Sequence, residues 1–208
     1  MKATPEFDEE EDWQGRVRIR ALIDDIENGF IHPGLNIPVI SSDARRRDWP
    51  DLPVLLTPGN CALRARMAAQ FAREGAVLAT ATWPGQPHVD PAVRYGAGSL
   101  CAPYTRIGPR AVIGEGAQVT AALISHDVEI GAYSTIGFSS AIHGHVIIGR
   151  EVNVAPNVVV ANGTRDRPLR IGDGAVIGVG AVVVGDVAPG ARLIGNPALP
   201  LRDWVRLR

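Results

Sequence analysis

The sequence predicts a mainly β protein, a parallel β-helix preceded by a small α/β unit. Three observations carry that prediction. Aliphatic residues recur every six positions over the second half of the chain. Glycine is abundant at 23 of 208 residues while aromatics are only 5%, so the core must be built from Val, Ile, Leu and Ala. The first 82 residues instead alternate short apolar runs with a helical pattern.

In the first unit, "VRIRALI" alternates apolar and charged residues before Asp24-Asp25, as a strand ending at a polar turn does. "LPVLLT", closed by Pro58-Gly59, suits a buried parallel strand. "NCALRARMAAQFAREG" places Leu63, Met67, Ala68 and Phe71 at helical spacing, with Asn60 as N-cap and Gly75 past the end. "AVLATA" reads as the next strand. The expected boundaries are 1–82 for this unit, 83–198 for the β-helix and 199–208 for a C-terminal tail.

The six-residue register starts at Val89 and runs through Tyr95, Cys101, Ile107, Ile113 and Val119. One residue is missing before Ile124. Ile130, Ile136, Ile142, Ile148, Val154 and Val160 then follow unbroken. After "ANGTRDRPLR" the series resumes at Ile171, Ile177 and Val183. A second small or apolar residue sits four places on, as at Ala111, Val128, Ser134, Ser140, Val146, Val152, Ala175 and Ala181. Self-similarity at six is the mark of a β-helix in which each repeat is one short strand and a turn. The inward aliphatic fills the prism, and the small residues let adjacent turns stack.

A net charge of −1 gives no basic footprint for nucleic acid. The N-terminus is acidic and polar, unlike a signal peptide, and no apolar run approaches the ~18 residues of a membrane span. Cys61 and Cys101 are too few for a disulfide framework, and two idle thiols suit a reducing compartment. The expectation is a cytoplasmic protein.

The residues that carry chemistry interrupt the repeat. Within "ISHDVEIGAYSTIGFSSAIHGHVIIG", His126-Asp127 and His143-Gly144-His145 stand where small residues would serve. If three hexapeptides make one coil, residues eighteen apart stack on adjacent coils. His126 and Gly144 then neighbour one another on one edge, and Asp127 and His145 share the next column.

The register, the preceding α/β unit, "TWPGQPHVDPAV", "SHDVEIGAYSTIG" and the closing "VAPGARLIGNPA" resemble the hexapeptide-repeat sugar acetyltransferases of the NeuD/PglD type. That family includes nucleotide-amino-sugar N-acetyltransferases and sialic acid O-acetyltransferases. The resemblance implies a left-handed parallel β-helix of hexapeptide repeats behind a small, truncated Rossmann-like α/β domain. It further implies a homotrimer using acetyl-CoA as co-substrate in a groove between neighbouring β-helices, with no metal. His126 matches the catalytic base and Asp127 the acidic residue beside it. Gly144 matches a glycine whose main-chain N–H meets the thioester oxygen. CoA contacts are expected at Gly144, Pro156, Gly178, Val179 and Gly180. A nucleotide-sugar or sugar substrate is expected near Asp24, Asp25, Gly59 and Asn60. Members usually begin with a strand and a Gly-rich turn, whereas this chain starts near what resembles their second strand, so weak nucleotide recognition is expected. Thr135 stands where members often carry a second histidine.

The chemistry suits these residue types. Acyl transfer needs a base near the attacking amine or hydroxyl and a donor aimed at the developing oxyanion. An imidazole of ordinary pKa ~6.5 suits the first role, and a glycine N–H unobstructed by a Cβ suits the second. Direct attack within a ternary complex is expected, because no Cys or Ser beside His126, Ser125 included, is an obvious covalent nucleophile. Two other classes stand beside this reading. One is a β-helical zinc carbonic anhydrase, where histidines from adjacent subunits bind zinc; His126, His143 and His145 supply the ligand type, and open zinc sites use three histidines. The other is a trimeric scaffold without chemistry. Asn60 as a helix cap and Asp24-Asp25 as a solvated strand end are the plain alternatives to a sugar site.

Overall fold

The computed structural model describes residues 2–3, 19–82, 88–196, 199–200 and 203. Val17 and Arg18 of the first expected strand, 83–87 of the junction motif, Pro197-Ala198 of "GNPA" and most of the expected tail lie outside the described residues.

The first unit is a mixed sheet with two helices. Its strands are β1 (Lys2–Ala3), β2 (Leu22–Ile23), β3 (Phe30–His32), β4 (Ile37–Ile40) and β5 (Leu55–Leu56), in the spatial order β3-β4-β2-β1-β5. β2 and β4 are parallel, while β1 lies antiparallel between β2 and β5. A strand at Lys2–Ala3 was not expected from so polar a terminus. The expected strand "AVLATA" is reduced to two isolated bridges, Val54 with Leu78 and Ala81 with Leu100. The second of these bridges already ties the unit to the β-helix.

Helix α1 (Ser42–Asp48) is capped by Ser41, and α2 (Cys61–Arg73) by Asn60, whose Oδ1 accepts the Leu63 N–H at 2.9 Å. Gly75 takes φ 72° just beyond α2, a left-handed turn that glycine adopts without a Cβ penalty. The buried face of α2 is Cys61, Arg64, Ala68 and Phe71, whereas Leu63 is 38% exposed. The expected apolar face is therefore rotated to bring in an arginine. Arg64 is fully buried because carbonyls receive its guanidinium: Gly116 at 2.7 Å, Pro58 at 2.7 Å and Tyr133 at 2.6 Å, with Thr135 Oγ1 at 2.9 Å. Burial without a carboxylate partner pulls its pKa below the ordinary arginine value. With Gln118, which donates to Leu56 O at 3.0 Å, it fastens the α/β unit to the β-helix.

The β-helix has three parallel sheets. The first face carries Leu100–Cys101, Gln118–Val119, Thr135–Ile136, Asn153–Val154, Val176–Ile177 and Arg192–Ile194. The second carries Arg106–Ile107, Leu123–Ile124, Ala141–Ile142, Val159–Val160 and Val182–Val183. The third carries Arg94–Tyr95, Val112–Ile113, Glu129–Ile130, Val146–Ile148 and Leu169–Ile171. Leu199–Pro200 adds antiparallel to the end of the first face, so part of the expected tail belongs to this sheet. The whole is the left-handed β-helix class.

The six-residue register fills the core. From Cys101 to Val183 every register residue is buried, and so are the small residues four places on. Ser134 and Ser140 do more than fill space. Each hydroxyl donates to a carbonyl of the next coil and accepts an N–H from it, as in Ser134 Oγ to Gly149 O at 2.7 Å and Val152 N to Ser134 Oγ at 2.9 Å. The missing residue before Ile124 shortens one coil, so Ile107 pairs with Ile124 while Ile124 pairs with Ile142.

At the corners one residue per repeat adopts positive φ, including Tyr104 (64°), Arg110 (60°), Asp127 (57°), Tyr133 (60°), His145 (56°) and Asn157 (60°). This conformation turns the residue's N–H along the helix axis onto a carbonyl of the preceding coil. Asp127 N–H thus reaches Pro109 O at 3.0 Å, and Asn157 N–H reaches Phe138 O at 3.0 Å.

Candidate active site

The corner between the second and third faces assembles the histidine site. Because Ile107, Ile124 and Ile142 are in ladder register, two columns follow them around the bend. One runs Pro109, His126, Gly144, Asn162, and the other Arg110, Asp127, His145.

His126 Nδ1 lies 2.7 Å from Asp127 Oδ2. Arg110 grips the same carboxylate from the coil below, with Nε to Oδ1 at 2.6 Å and Nη2 to Oδ2 at 2.7 Å. Those contacts, the guanidinium first and the imidazole second, hold the Asp127 carboxyl well below the usual carboxylate range. An ionised Asp127 accepts, so Nδ1 is the donor in this contact, and in a neutral imidazole the lone pair then falls on Nε2. The His145 ring meets His126 edge-on, with centroids 5.2 Å apart, and its Nε2 is 3.9 Å from Asp127 Oδ2. These four residues and Arg165 line a cleft of about 590 Å³.

Gly144 is confined by its neighbours. A Cβ there would fall 2.6 Å from His126 Cε1 and 2.8 Å from Nε2, so the imidazole occupies the space a side chain would need. The expected result for Gly144→Ala is a folded protein whose imidazole is displaced. Because a misplacement of ~1 Å costs on the order of 10²-fold, turnover should fall by about that factor. Steady-state kinetics with a melting curve checks it, and an unchanged kcat would separate His126 from the chemistry. The Gly144 N–H, which the resemblance casts as the thioester-oxygen donor, is already donated to Asn162 Oδ1 at 2.9 Å.

The remaining expected residues lie at other corners. Pro156, Val179 and Gly180, with Gly178 beside them, form the edge between the first and second faces, where Tyr104 and Phe138 are also exposed. Asp24, Asp25, Gly59 and Asn60 belong to the α/β unit, which sits against the corner between the third and first faces. Their acceptors are engaged locally. Asp24 Oδ1 receives the N–H groups of Ile26 and Glu27, which lower its pKa. Asp25 receives the Ser42 N–H and hydroxyl at 2.6 and 2.8 Å. Asn60 caps α2, and Gly59 O accepts from Thr135 Oγ1 at 3.2 Å. Thr135 is therefore a junction residue of the first face, not a member of the histidine corner.

Among the described residues, the group with metal-ligand atoms close together is His126, Asp127 and His145, all within 4.8 Å of one another. His143 is not part of it, so the three-histidine zinc set is not assembled within one chain. A cation there would also face Arg110, which already takes both Asp127 oxygens. Cys61 and Cys101 are free and buried, and burial pushes the Cys101 thiol up to about 12. Among the described residues no helix is long and apolar enough to cross a membrane.

Sequence reasoning missed Arg110, Asn162 and Arg64. Counting columns through the short coil would have found the first two, because Arg110 lies 17 residues before Asp127 and Asn162 lies 18 after Gly144. Nothing in the helical pattern of α2 marks Arg64, whose partners come from distant coils.

No family model matches the chain. Among curated proteins it is 32% identical over 214 residues to the bifunctional protein GlmU of Thermobifida fusca, covering 69% of this chain and 44% of that protein. The chain thus spans less than half the length of that relative. Among solved structures it is similar to PerB from Caulobacter crescentus in complex with CoA and GDP-perosamine. That match has 28% identity and a TM-score of 0.72, over 80% of this chain and 79% of the other. It is also similar to the acetyltransferase domain of PglB from Neisseria gonorrhoeae in complex with acetyl coenzyme A. There the identity is 26% and the TM-score 0.73, over 86% of this chain and 84% of the other.

Proposed function

We propose that this chain, a hexapeptide-repeat protein of the sugar-acetyltransferase type, transfers an acetyl group from acetyl-CoA to an amino sugar. The acceptor class is a nucleotide-linked amino sugar of bacterial surface-glycan synthesis, with a sugar hydroxyl as the alternative acceptor. The observation that carries this reading is the hydrogen-bonded row Arg110–Asp127–His126 on a rigid edge, in which Asp127 engages Nδ1 and leaves Nε2 facing away from the carboxylate. His126 takes a proton from the acceptor as its lone pair attacks the thioester carbonyl and the new C–N bond forms. The C–S bond then breaks, and the imidazolium returns the proton to the departing CoA sulfur. Asp127, kept ionised by Arg110, stabilises that imidazolium in between. PerB holds CoA and GDP-perosamine, which supports this pair of substrate classes.

The geometry also supports a homotrimer. On the second face the outward residue of the first strand is Arg106, followed by Leu123, Ala141, Val159 and Val182, an apolar run in which Leu123 is 38% and Val159 37% exposed. A flat apolar face of this kind marks an interface. It is bounded by the histidine corner on one side and by the Pro156–Val179 corner on the other. A neighbouring copy packed there closes a groove between its own Pro156 edge and His126, a slot suited to CoA. Sedimentation at micromolar concentration should return a three-chain mass, and a monomer would remove the basis for an interfacial site.

The defining experiment is CoA release from acetyl-CoA with GDP-perosamine, other nucleotide-linked amino sugars and free sialic acids as acceptors. Acceptor-dependent release is expected. Absence of acetyl-CoA binding would leave the scaffold reading, while bound zinc with CO2 hydration would favour the carbonic anhydrase class.

A further inference from the structure

One turn of the β-helix is longer than the rest. Ile148 pairs with Ile171, 23 residues on, where Ile130 pairs with Ile148, 18 residues on. The extra residues make a loop, 162–168, that leaves and rejoins the corner beside the histidine site. Both ends are tied there: the Gly163 N–H donates to Gly144 O at 3.0 Å and the Leu169 N–H to His145 O at 3.1 Å. A Cβ on Gly163 would collide with His145 O and Leu169 N, so the departing chain has no room to shift. At the tip the Thr164 N–H donates to Arg167 O and the Arg167 N–H to Thr164 Oγ1, both at 3.0 Å. A tight turn thus presents two arginines from a fixed base.

Those arginines line different clefts. Arg165 shares the cleft of about 590 Å³ with Arg110, His126, Asp127 and His145, whereas Arg167 lines a separate one of about 470 Å³ beside Asp186. Among the described residues the Arg165 guanidinium has no hydrogen bond or ion pair, and it is exposed. The Asp127 charge in the same cleft is already balanced by Arg110. Arg165 therefore gives the cleft that holds His126 an uncompensated positive charge.

An unpaired guanidinium suits a carboxylate or a phosphate, which it meets through two parallel N–H···O contacts. If the chain acetylates a sugar as proposed above, that anion belongs to the acceptor and not to CoA. The thioester has to reach His126, and the pantetheine arm then keeps the CoA phosphates further off than the cleft is wide. The cleft also opens around Asp127 and His145, on the third-face side of His126, whereas the groove suited to CoA follows the second face. Asp24, Asp25 and Asn60 bring no positive charge, and their acceptors are engaged.

We propose that Arg165 is a specificity-determining residue that holds an anionic oxygen group of the acceptor, a phosphate or carboxylate, across the sugar ring from the atom that is acetylated. A cleft of this volume has room for the ring and that group. A nucleotide-linked amino sugar supplies the anion as its diphosphate, and a sialic acid supplies it as its carboxylate.

Arg165→Gln removes the charge and keeps a polar side chain, and Arg167→Ala is the control on the other side of the same turn. Each charged acceptor is paired with a neutral form: GDP-perosamine with the methyl glycoside of perosamine, and a sialic acid with its methyl ester. In the wild-type protein kcat/KM should favour the charged member by about 10–10²-fold. Arg165→Gln should erase that preference through KM for the charged acceptor, with turnover of the neutral one and KM for acetyl-CoA within about twofold of wild type. Arg167→Ala should keep the preference. Its loss in the GDP-perosamine pair assigns the diphosphate, and its loss in the sialic acid pair assigns the carboxylate. A preference that survives Arg165→Gln, or a KM for acetyl-CoA that rises with charged and neutral acceptors alike, overturns the inference. Equal use of both forms by the wild-type protein does so too, and leaves the acetyltransfer reading standing. Calorimetric titration of each charged sugar into the CoA-bound protein reads the same contact without turnover. An affinity about 10-fold weaker in Arg165→Gln, in a protein that releases no CoA with any acceptor, would sink the acetyltransfer reading alone. Binding of neither charged sugar to the wild-type protein overturns the role of Arg165.

Discussion

His126→Ala lowers kcat by about 10²–10⁴-fold while acetyl-CoA still binds and the melting temperature stays nearly constant. The loss is catalytic because the ring is a surface feature: its side chain is 47% exposed, and its side-chain hydrogen bond is to Asp127. Removing it leaves the Arg110–Asp127 pair in place and uncovers no core residue. Asp127→Asn costs less, since an amide oxygen can still accept from Nδ1 although the charge that balances the imidazolium is gone. His143→Ala changes little, because His143 lies outside the cluster. Turnover, acetyl-CoA affinity and thermal melting on the three variants check this ordering. Full turnover by His126→Ala would reduce the histidine to a corner residue.

The largest structural effect is expected at Arg64. Arg64→Met keeps the aliphatic stem but strips the guanidinium from the carbonyls of Gly116, Pro58 and Tyr133 and from Thr135 Oγ1. Each buried acceptor left unpaired costs ~1–3 kcal/mol, and several together place the loss at roughly 3–5 kcal/mol. For a chain of this size that corresponds to a melting temperature lower by roughly 10 °C. The α/β unit should open first, because the β-helix retains its own core. Thermal melting with limited proteolysis of α2 reads both effects. A variant that melts within about 2 °C of wild type and resists cleavage of α2 would show that the junction is held by its apolar contacts alone.

The β-helix was legible because its period is fixed by geometry: an aliphatic that must point inward once per strand writes itself into the sequence, from Ile107 to Val183. The His126–Gly144 proximity followed from the same count. What the sequence did not disclose is whatever depends on side-chain direction. Arg110, Asn162 and Arg64 are polar residues with no periodic signature, and each is placed by partners a full coil or more away. The α/β unit was only partly legible. Its helix α2 and cap were readable, but the rotation that buries Arg64 and the antiparallel β1 arise from pairing rather than propensity.

The corner residues hold a positive φ whatever side chain they bear, and that has a consequence for how such an edge changes over time. Tyr104, Arg110, Asp127 and His145 accept a backbone conformation that Gly116, Gly174 and Gly180 adopt at equivalent corners with less strain. Glycine at position 127 would therefore relax the backbone while erasing the carboxylate. Selection for durability and selection for chemistry pull in opposite directions at the same atom. The coil itself does not depend on the outcome, since its ladder and core are set elsewhere. An old scaffold of this kind can thus lose one activity and acquire another by exchanging single residues along an edge, with no new fold required.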